Sequence, residues 1–489
     1  MTTPPLWTAE DAAAATGGRA AGGWTATRGV SIDTRTLAPG DLFVALTGDN
    51  RDGHAFVADA LAKGAAAALV SRRPEGVEAD APLLIVGDTL EGLRGLGAAA
   101  RARLGAEARV IGVTGSVGKT GTKEMLRAML AGQVRAHAAD RSFNNHWGVP
   151  LTLARMPAET DVAVIEMGMN HAGEITQLSR LARPHVAMIT TVEAVHIENF
   201  DDESGIADAK AEIFAGLAPG GVAVLNRDNR WFDRLASAAT TAGARILAFG
   251  TSEGCDARLL SADPRGAGTV AEAEIAGRRL AFKLAAPGRH LALNAVGALA
   301  AAEAAGADLA RAALGLAEWR PPEGRGARWI VALGPAGMDG AITVIDESYN
   351  ANPASVCAAL ETLAAARVDD GVGRIARGRR IAALGDMLEL GVREEAMHAA
   401  LAEHPALSEV DAVLTVGPRM KALDAALPPE RRGGWFADSA AAAERLRRMV
   451  DAGDVVMVKG SNAVRMGRVV EALKAAGAAR PADGAAEDG

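Results

Sequence analysis

The residues best suited to chemistry lie in Arg109-Val-Ile-Gly-Val-Thr-Gly-Ser-Val-Gly-Lys-Thr120. An apolar run enters a glycine-rich turn, and the turn opens a helical pattern. Gly115 and Gly118 let the backbone approach phosphate oxygens closely, and Ser116 and Val117 complete the turn. Amides at the helix start donate to an anion, which the helix dipole also favours. Lys119 would neutralise β/γ-phosphates, and Thr120 would offer its hydroxyl to Mg²⁺. Val113 stands where the strict Walker pattern has its first glycine. By itself the loop indicates nucleotide binding, which leaves a general P-loop ATPase or kinase open.

A candidate metal shell comes next in order along the chain. Glu166 ends the apolar run 162–166, and ligands bind at the C-terminal ends of parallel strands. Its carboxylate suits Mg²⁺. His196 follows the next apolar strand pattern, and Lys210 lies 14 residues further on (210 − 196), on an amphipathic helical pattern. Singly, these residues read as an ion-pair partner, a helix cap and a solvated charge. Their order behind a phosphate loop favours a site.

These groups need sheets to hold them. Strands are expected at 41–46 and 66–70, with a helix at 55–63 between them that Gly64 stops. A helix at 90–104 opens a second unit. Buried-type strands at 109–113, 162–166, 186–190 and 222–225 alternate there with helices such as 119–130 and 206–217. The alternation predicts a parallel sheet covered on both faces. The Pro/Gly-rich segment 320–326 reads as a hinge or boundary. Strands at 342–346, 380–384, 412–416 and 455–458 then predict a second parallel α/β sheet. The fold class is therefore α/β in three domains, 1–88, 89–318 and 319–489. The tail from about residue 475, rich in Ala, Gly, Pro and Asp, is expected to be disordered.

A length of 489 residues requires several domains, and 49% apolar with 23% charged residues is a soluble, globular balance. A net charge of −8 without a long basic run argues against a general nucleic-acid binder. Cys255 and Cys357 have no metal-ligand spacing, and the start of the chain lacks a signal-peptide pattern. No apolar run is long enough for a membrane span. A cytoplasmic protein is expected.

The sequence resembles the Mur ligase family, which adds amino acids to the UDP-linked cell-wall precursor. The likeness runs through Asp33-Thr-Arg35, residues 40–46, Asp52-Gly-His54, the phosphate loop, Asn144-Asn145, Glu166-Met-Gly-Met169 and His196. It continues through Asn294, Arg325, Ile345-Asp-Glu-Ser-Tyr-Asn-Ala-Asn-Pro353, Gly385-Asp-Met-Leu-Glu-Leu-Gly391 and Val458-Lys-Gly-Ser461. The family's usual Asp-Ser-Arg has Thr34 here, Glu347 replaces a common Asp, and Asn462 replaces a common Arg.

The resemblance implies three domains: one small and UDP-precursor-binding, a central P-loop ATPase, and a Rossmann-like C-terminal domain. It implies ATP contacts at residues 115–120, at Asn294 (adenine), and at Arg325 and Glu347. Two Mg²⁺ ions would be held by Thr120, Glu166, His196 and Lys210, the last as a carbamate. Thr34, Arg35, Asn144, Asn145, Tyr349, Asn350 and Asn352 fall at substrate-binding positions. Tyr349 is the only tyrosine in the chain, and its motif resembles that of the D-alanyl-D-alanine-adding member. The Asp-Asn-Pro-Arg stretch of the diaminopimelate-adding member is missing. Implied partners are UDP-N-acetylmuramoyl-tripeptide and D-alanyl-D-alanine, with a monomeric enzyme and an acyl-phosphate intermediate. Lys119, His196 and Lys210 are the expected catalytic groups. A phosphotransferase without amide formation and a non-catalytic UDP-sugar-binding protein are the competing classes.

Overall fold

The computed structural model describes residues 4–48, 51–265 and 268–482. Among these residues, three larger sheets organise the chain. The first has five strands, all between Arg19 and Ile85. Val30–Ser31, Leu42–Val44, Ala67–Val70 and Leu83–Ile85 pair in parallel, and Arg19–Ala21 adds antiparallel at one edge. The expected helix at 55–63 is a 3-10 turn, Gly53–Phe56, followed by helix Val57–Ala62.

The next helix, Thr89–Ala102, begins where Asp88 accepts hydrogen bonds from the amides of Leu90 and Glu91 at 2.8 and 2.9 Å. Such a cap satisfies donors that the first turn leaves free. Side-chain hydrogen bonds tie the N-terminal unit to the central one, among them that of Arg103 to the Leu6 carbonyl at 2.7 Å. Trp7 Nε1 donates to the carbonyl of Ala154 at 2.8 Å, and Arg155 Nε donates to that of Val30 at 2.6 Å.

The central sheet runs, in spatial order, Ala136–Ala138, Val162–Glu166, Arg109–Thr114, Val186–Ile189, Val222–Asn226, Arg245–Gly250, Ala257–Arg265, Gly268–Ile275 and Arg278–Leu284. The phosphate-loop strand lies between the strands that lead to Glu166 and to the loop of His196. It is buried over nearly its full length, as its unbroken apolar run requires.

The expectation of an all-parallel sheet is corrected at the far edge. There Gly268–Ile275 and Arg278–Leu284 form antiparallel pairings after Ala257–Arg265. The turn at Ala276-Gly277 has positive φ at both residues (50° and 74°), which favours a tight hairpin over a crossover. The helix expected at 206–217 is also shorter. It is helical over Glu203–Ala211 and tightens to a 3-10 turn over Glu212–Gly216.

The third sheet has the order Arg432–Phe436, Ala412–Val416, Arg380–Gly385, Val455–Lys459, Ala341–Glu347, Ala327–Leu333 and Gly477–Pro481. Its first five strands are parallel and its last two antiparallel. The final strand overturns part of the expected disorder: residues 477–481 pair with Ala327–Leu333. Backbone hydrogen bonding outweighs a composition poor in large apolar groups. Residues 483–489 of that expected tail lie outside the described residues.

The expected hinge at 320–326 is narrowed too. The Gly326 amide donates to the Asp346 carbonyl at 2.8 Å, and the Tyr349 amide to the Gly324 carbonyl at 3.0 Å. Residues 324–326 are therefore docked on the third sheet, leaving 320–323 as the link.

Candidate active site

The strand Arg109–Thr114 extends one residue beyond its expected end, and Val113 lies within it. Val113 is still in the sheet, its carbonyl accepting from the Met167 amide at 2.8 Å, so no glycine is needed there. The turn starts at Gly115. Its φ of 142°, and a Thr190 hydroxyl that would overlap an added Cβ, exclude a side chain. Gly118, at φ 89°, leads into helix Lys119–Leu130, and Asn294 Nδ2 would lie 2.7 Å from a Cβ at that position. Loop residues 116 and 117 are braced by Thr190 and Glu193. Thr190 Oγ1 donates to the Val117 carbonyl at 2.5 Å, and Ser116 Oγ to that of Glu193 at 3.0 Å.

Lys119 Nζ folds back to donate to the Gly115 carbonyl at 2.5 Å. Burial lowers its pKa to about 8. Glu166 opposes that shift and Arg325 adds to it. Thr120 Oγ1 lies 3.0 Å from Ser142 Oγ and donates to Glu166 Oε1 at 3.0 Å. Asn144 Nδ2 donates to the same oxygen at 2.7 Å. Glu166 Oε2 is buried and has no partner.

His196 lies within electrostatic reach of Lys119 and of the buried Lys210. The His196 imidazole meets Glu389, which comes from the third sheet's side of the molecule. Burial lowers the His196 pKa, opposed by Glu389. Burial, reinforced by the charge of Lys119, holds the Lys210 ammonium well below its usual range. Burial of this kind disfavours the charged form of a lysine.

The C-terminal unit completes a cleft of about 320 Å³, lined among others by Lys119, Glu166, Asn294, Arg325, Tyr349 and Lys459. Arg325 stacks over the Tyr349 ring at 3.9 Å and reaches Ser142 Oγ at 3.3 Å. Lys459, buried and lowered in pKa by that burial, pairs with Glu347 Oε2 at 3.4 Å. Three cationic side chains, Lys119, Arg325 and Lys459, thus converge on one space from two units, as a polyphosphate requires.

The expected site residues divide by placement. Residues 116–120 of the phosphate loop, with Asn144, Glu166, His196, Asn294, Arg325, Glu347, Tyr349, Asn350 and Asn352, line the cleft, whereas Gly115 and the buried Lys210 are not among its lining residues. Asn352 also caps helix Pro353–Ala364, accepting from the Ser355 amide at 2.9 Å. Asn145 is not among the lining residues. Its Oδ1 accepts from the Gly148 amide at 2.9 Å, which assigns it to holding the backbone turn before helix Gly148–Ala154.

Thr34 and Arg35 are also outside this cleft, and Arg35 pairs with Asp33 at 2.6 Å. Near them a second cleft of about 630 Å³ separates the first two sheets, lined by Arg28, Thr36, Asp41, Arg141 and Arg155 among others. Sequence reasoning misses Ser142, Lys459 and Glu389 as site residues. The latter two lie in recognised motifs, whereas Ser142 carries no signal beyond its position two residues before Asn144.

The residues present fit a hard divalent cation beside Thr120, because the donors are oxygens and one carboxylate oxygen is unpaired. Among the described residues, no group of three or more His, Cys, Asp or Glu side chains is gathered for a metal. A cation here would therefore need hydroxyl and phosphate oxygens as well.

Fold and site together define a P-loop ligase, and the chain belongs to the Mur ligase family. Family descriptions match in chain order: "Mur ligase family, catalytic domain" over residues 27–101, "Mur ligase middle domain" over 113–302, and "Mur ligase, glutamate ligase domain" over 335–462. The chain is similar to the UDP-N-acetylmuramoyl-tripeptide--D-alanyl-D-alanine ligase of Escherichia coli. The two are 36% identical over 448 residues, covering 91% of this chain and 93% of that protein. Its fold is similar to MurF from Acinetobacter baumannii, with a TM-score of 0.80, 29% identity and coverage of 97% and 99% of the two chains. A MurF ligase from Thermotoga maritima in complex with ADP gives a TM-score of 0.72 at 28% identity, over 92% and 98%.

Proposed function

We propose that this chain joins D-alanyl-D-alanine to UDP-N-acetylmuramoyl-tripeptide, converting ATP to ADP and phosphate. The observation that carries the reading is the shared cleft. Lys119, Thr120 and Glu166 enter it from the central sheet, and Arg325, Tyr349 and Lys459 from the C-terminal unit. Kinship at 36% identity with a named D-alanyl-D-alanine ligase over nearly the whole chain supports the choice of substrates. The ADP complex of the Thermotoga relative supports ATP in the cleft.

The chemistry follows from a free carboxylate being a poor electrophile. A carboxylate oxygen of the tripeptide attacks the γ-phosphorus, and the bond from that phosphorus to the β,γ-bridging oxygen breaks, releasing ADP. The amine of D-alanyl-D-alanine then attacks the acyl carbon. The carbon–oxygen bond to phosphate breaks, phosphate leaves, and the amine loses its proton. The first step brings two anions together, so fixed positive charge lowers its barrier. Lys119 and Arg325 supply that charge from opposite walls of the cleft. Thr120 and Glu166 would hold one Mg²⁺, and His196 with a carbamate on Lys210 would hold a second. Mg²⁺ supplies neutralisation of phosphate charge when bound. Only a neutral amine reacts with CO₂, and burial shifts Lys210 towards that form, which supports the carbamate.

The precursor would enter from the cleft between the first two sheets, where Arg28, Arg141 and Arg155 face it. Unit boundaries at 88/89 and 318/319 are consistent with the Asp88 cap and with the docking of residues 324–326 on the third sheet. A substrate panel read by mass spectrometry tests the reading. Addition of D-alanyl-D-alanine to the UDP-tripeptide is expected. Addition of diaminopimelate, lysine or glutamate with no reaction of the dipeptide would refute it.

A further inference from the structure

His196 and Glu389 approach each other from different units, and their side chains meet through Nδ1 and Oε2. Both residues have left-handed backbones, with φ of 59° and 64°. That region is uncommon for residues with a side chain, and it persists only where the surroundings enforce it. Each residue lies just before a short 3-10 turn, Ile197–Asn199 in one case and Gly391–Arg393 in the other. The two turns touch: the Glu198 amide points at the Glu389 carbonyl over 3.5 Å. Gly391 permits this approach, since a Cβ there would lie 3.3 Å from Glu198 Cα and its φ is +62°. Two strained loops are thus fitted to bring one carboxylate onto one imidazole.

The consequence is a choice of tautomer. A carboxylate only accepts, so the imidazole donates from Nδ1, and in the neutral ring Nε2 then keeps its lone pair. A lone pair on Nε2 is what a metal ligand needs, and carboxylates behind ligand histidines set their orientation in this way. The carboxylate here comes from a unit other than the one that bears the histidine. We infer that Glu389 is a positioning residue through which the C-terminal unit sets His196 for a divalent cation. Cation binding and docking of the C-terminal unit then favour each other, as linkage requires. The inference rests on the ligase reading of the site.

The test uses the full chain with a non-hydrolysable ATP analogue and follows Mn²⁺ binding by electron paramagnetic resonance. Glu389→Ala should weaken Mn²⁺ affinity about 10- to 100-fold, with the melting temperature of the ligand-free protein unchanged. Glu389→Gln, whose amide oxygen still accepts the N–H, should keep most of the affinity. Gly391→Leu leaves both side chains in place but forces the turns apart, and should weaken Mn²⁺ as Glu389→Ala does. Wild-type Mn²⁺ affinity in Glu389→Ala overturns the inference, and so does equal loss in Glu389→Ala and Glu389→Gln. A wild-type protein that binds no Mn²⁺ with the nucleotide would count instead against the ligase reading.

Discussion

Thr120 and Glu166 come from the first turn of one helix and the end of a neighbouring strand, and the hydroxyl donates to Oε1 over 3.0 Å. The second oxygen of that carboxylate is buried and unpartnered. Leaving a buried acceptor unsatisfied costs about 1–3 kcal/mol, more when it is charged. Such a group is retained where something else completes it. A cation held between this oxygen and a nucleotide phosphate would do so.

Glu166→Gln should therefore separate ATP binding from its dependence on Mg²⁺. In the wild type, MgATP should raise the melting temperature more than ATP alone. In the variant the two shifts should coincide, with the ligand-free protein as stable as the wild type or more so. A full Mg²⁺-dependent shift in Glu166→Gln would remove this carboxylate from the cation site.

Lys119→Ala should lower turnover about 10³-fold or more, the scale of losing a charge that acts on the transferring phosphoryl group. The fold should survive, because Lys119 makes its hydrogen bonds to the carbonyls of its own loop. The titration of Lys119 adds a second readout. Its pKa falls from 10.5 to about 8 on folding. Between those values the unfolded chain holds more protons, so stability should rise with pH across that window. Lys119→Ala should flatten the rise in a series of chemical denaturations. An unchanged slope would mean that the amine is solvated rather than buried.

Lys210 should carry a carbamate in the active enzyme. Protonation reverses carbamylation, so activity should fall on acidification and on removal of dissolved CO₂. Lys210→Ala should be nearly inactive, and a small added carboxylate should restore part of the rate. The mass of the intact active protein, or of its Lys210 peptide under non-acidic conditions, reads the modification directly. Full activity in CO₂-free buffer with an unmodified lysine would contradict it.

Tyr349 should act through Arg325. The guanidinium lies 3.9 Å from the ring centroid, and such a contact at a partly exposed site contributes about 0.5–1 kcal/mol. Tyr349→Ala should lower kcat/KM for ATP roughly two- to five-fold by that energy, whereas Tyr349→Phe keeps the ring and should stay near wild type. Steady-state kinetics at saturating dipeptide separates the two. Equal losses in both variants would assign the role to the hydroxyl instead.

The parts of the fold legible in the sequence are those with strong periodicity. The phosphate-loop strand and helix Lys119–Leu130 are marked by an apolar run, two glycines and an amphipathic repeat. The antiparallel edge of the central sheet is not, because strands such as Arg278–Leu284 mix charged with apolar residues without an unbroken apolar run and lie at a sheet margin. The last strand, Gly477–Pro481, has almost no apolar side chain to announce it and is held by its backbone. In the site, Glu166 and Lys119 are legible from strand-end position and motif. The roles of Asn145 in holding a turn and of Asn352 as a cap are not, since structural asparagines and asparagine ligands look alike in sequence. The contact of His196 with Glu389 joins residues 193 positions apart, and only the packing of two units brings it about.

The central claim is that ATP is broken only to make an amide. A coupled assay of ADP release measures it most directly, with ATP, Mg²⁺ and UDP-N-acetylmuramoyl-tripeptide present and D-alanyl-D-alanine added or withheld. The account predicts sustained ADP release only when both the tripeptide and the dipeptide are present, with one amide formed per ADP. Steady ADP release without the dipeptide, or a phosphorylated product with no amide, would contradict it.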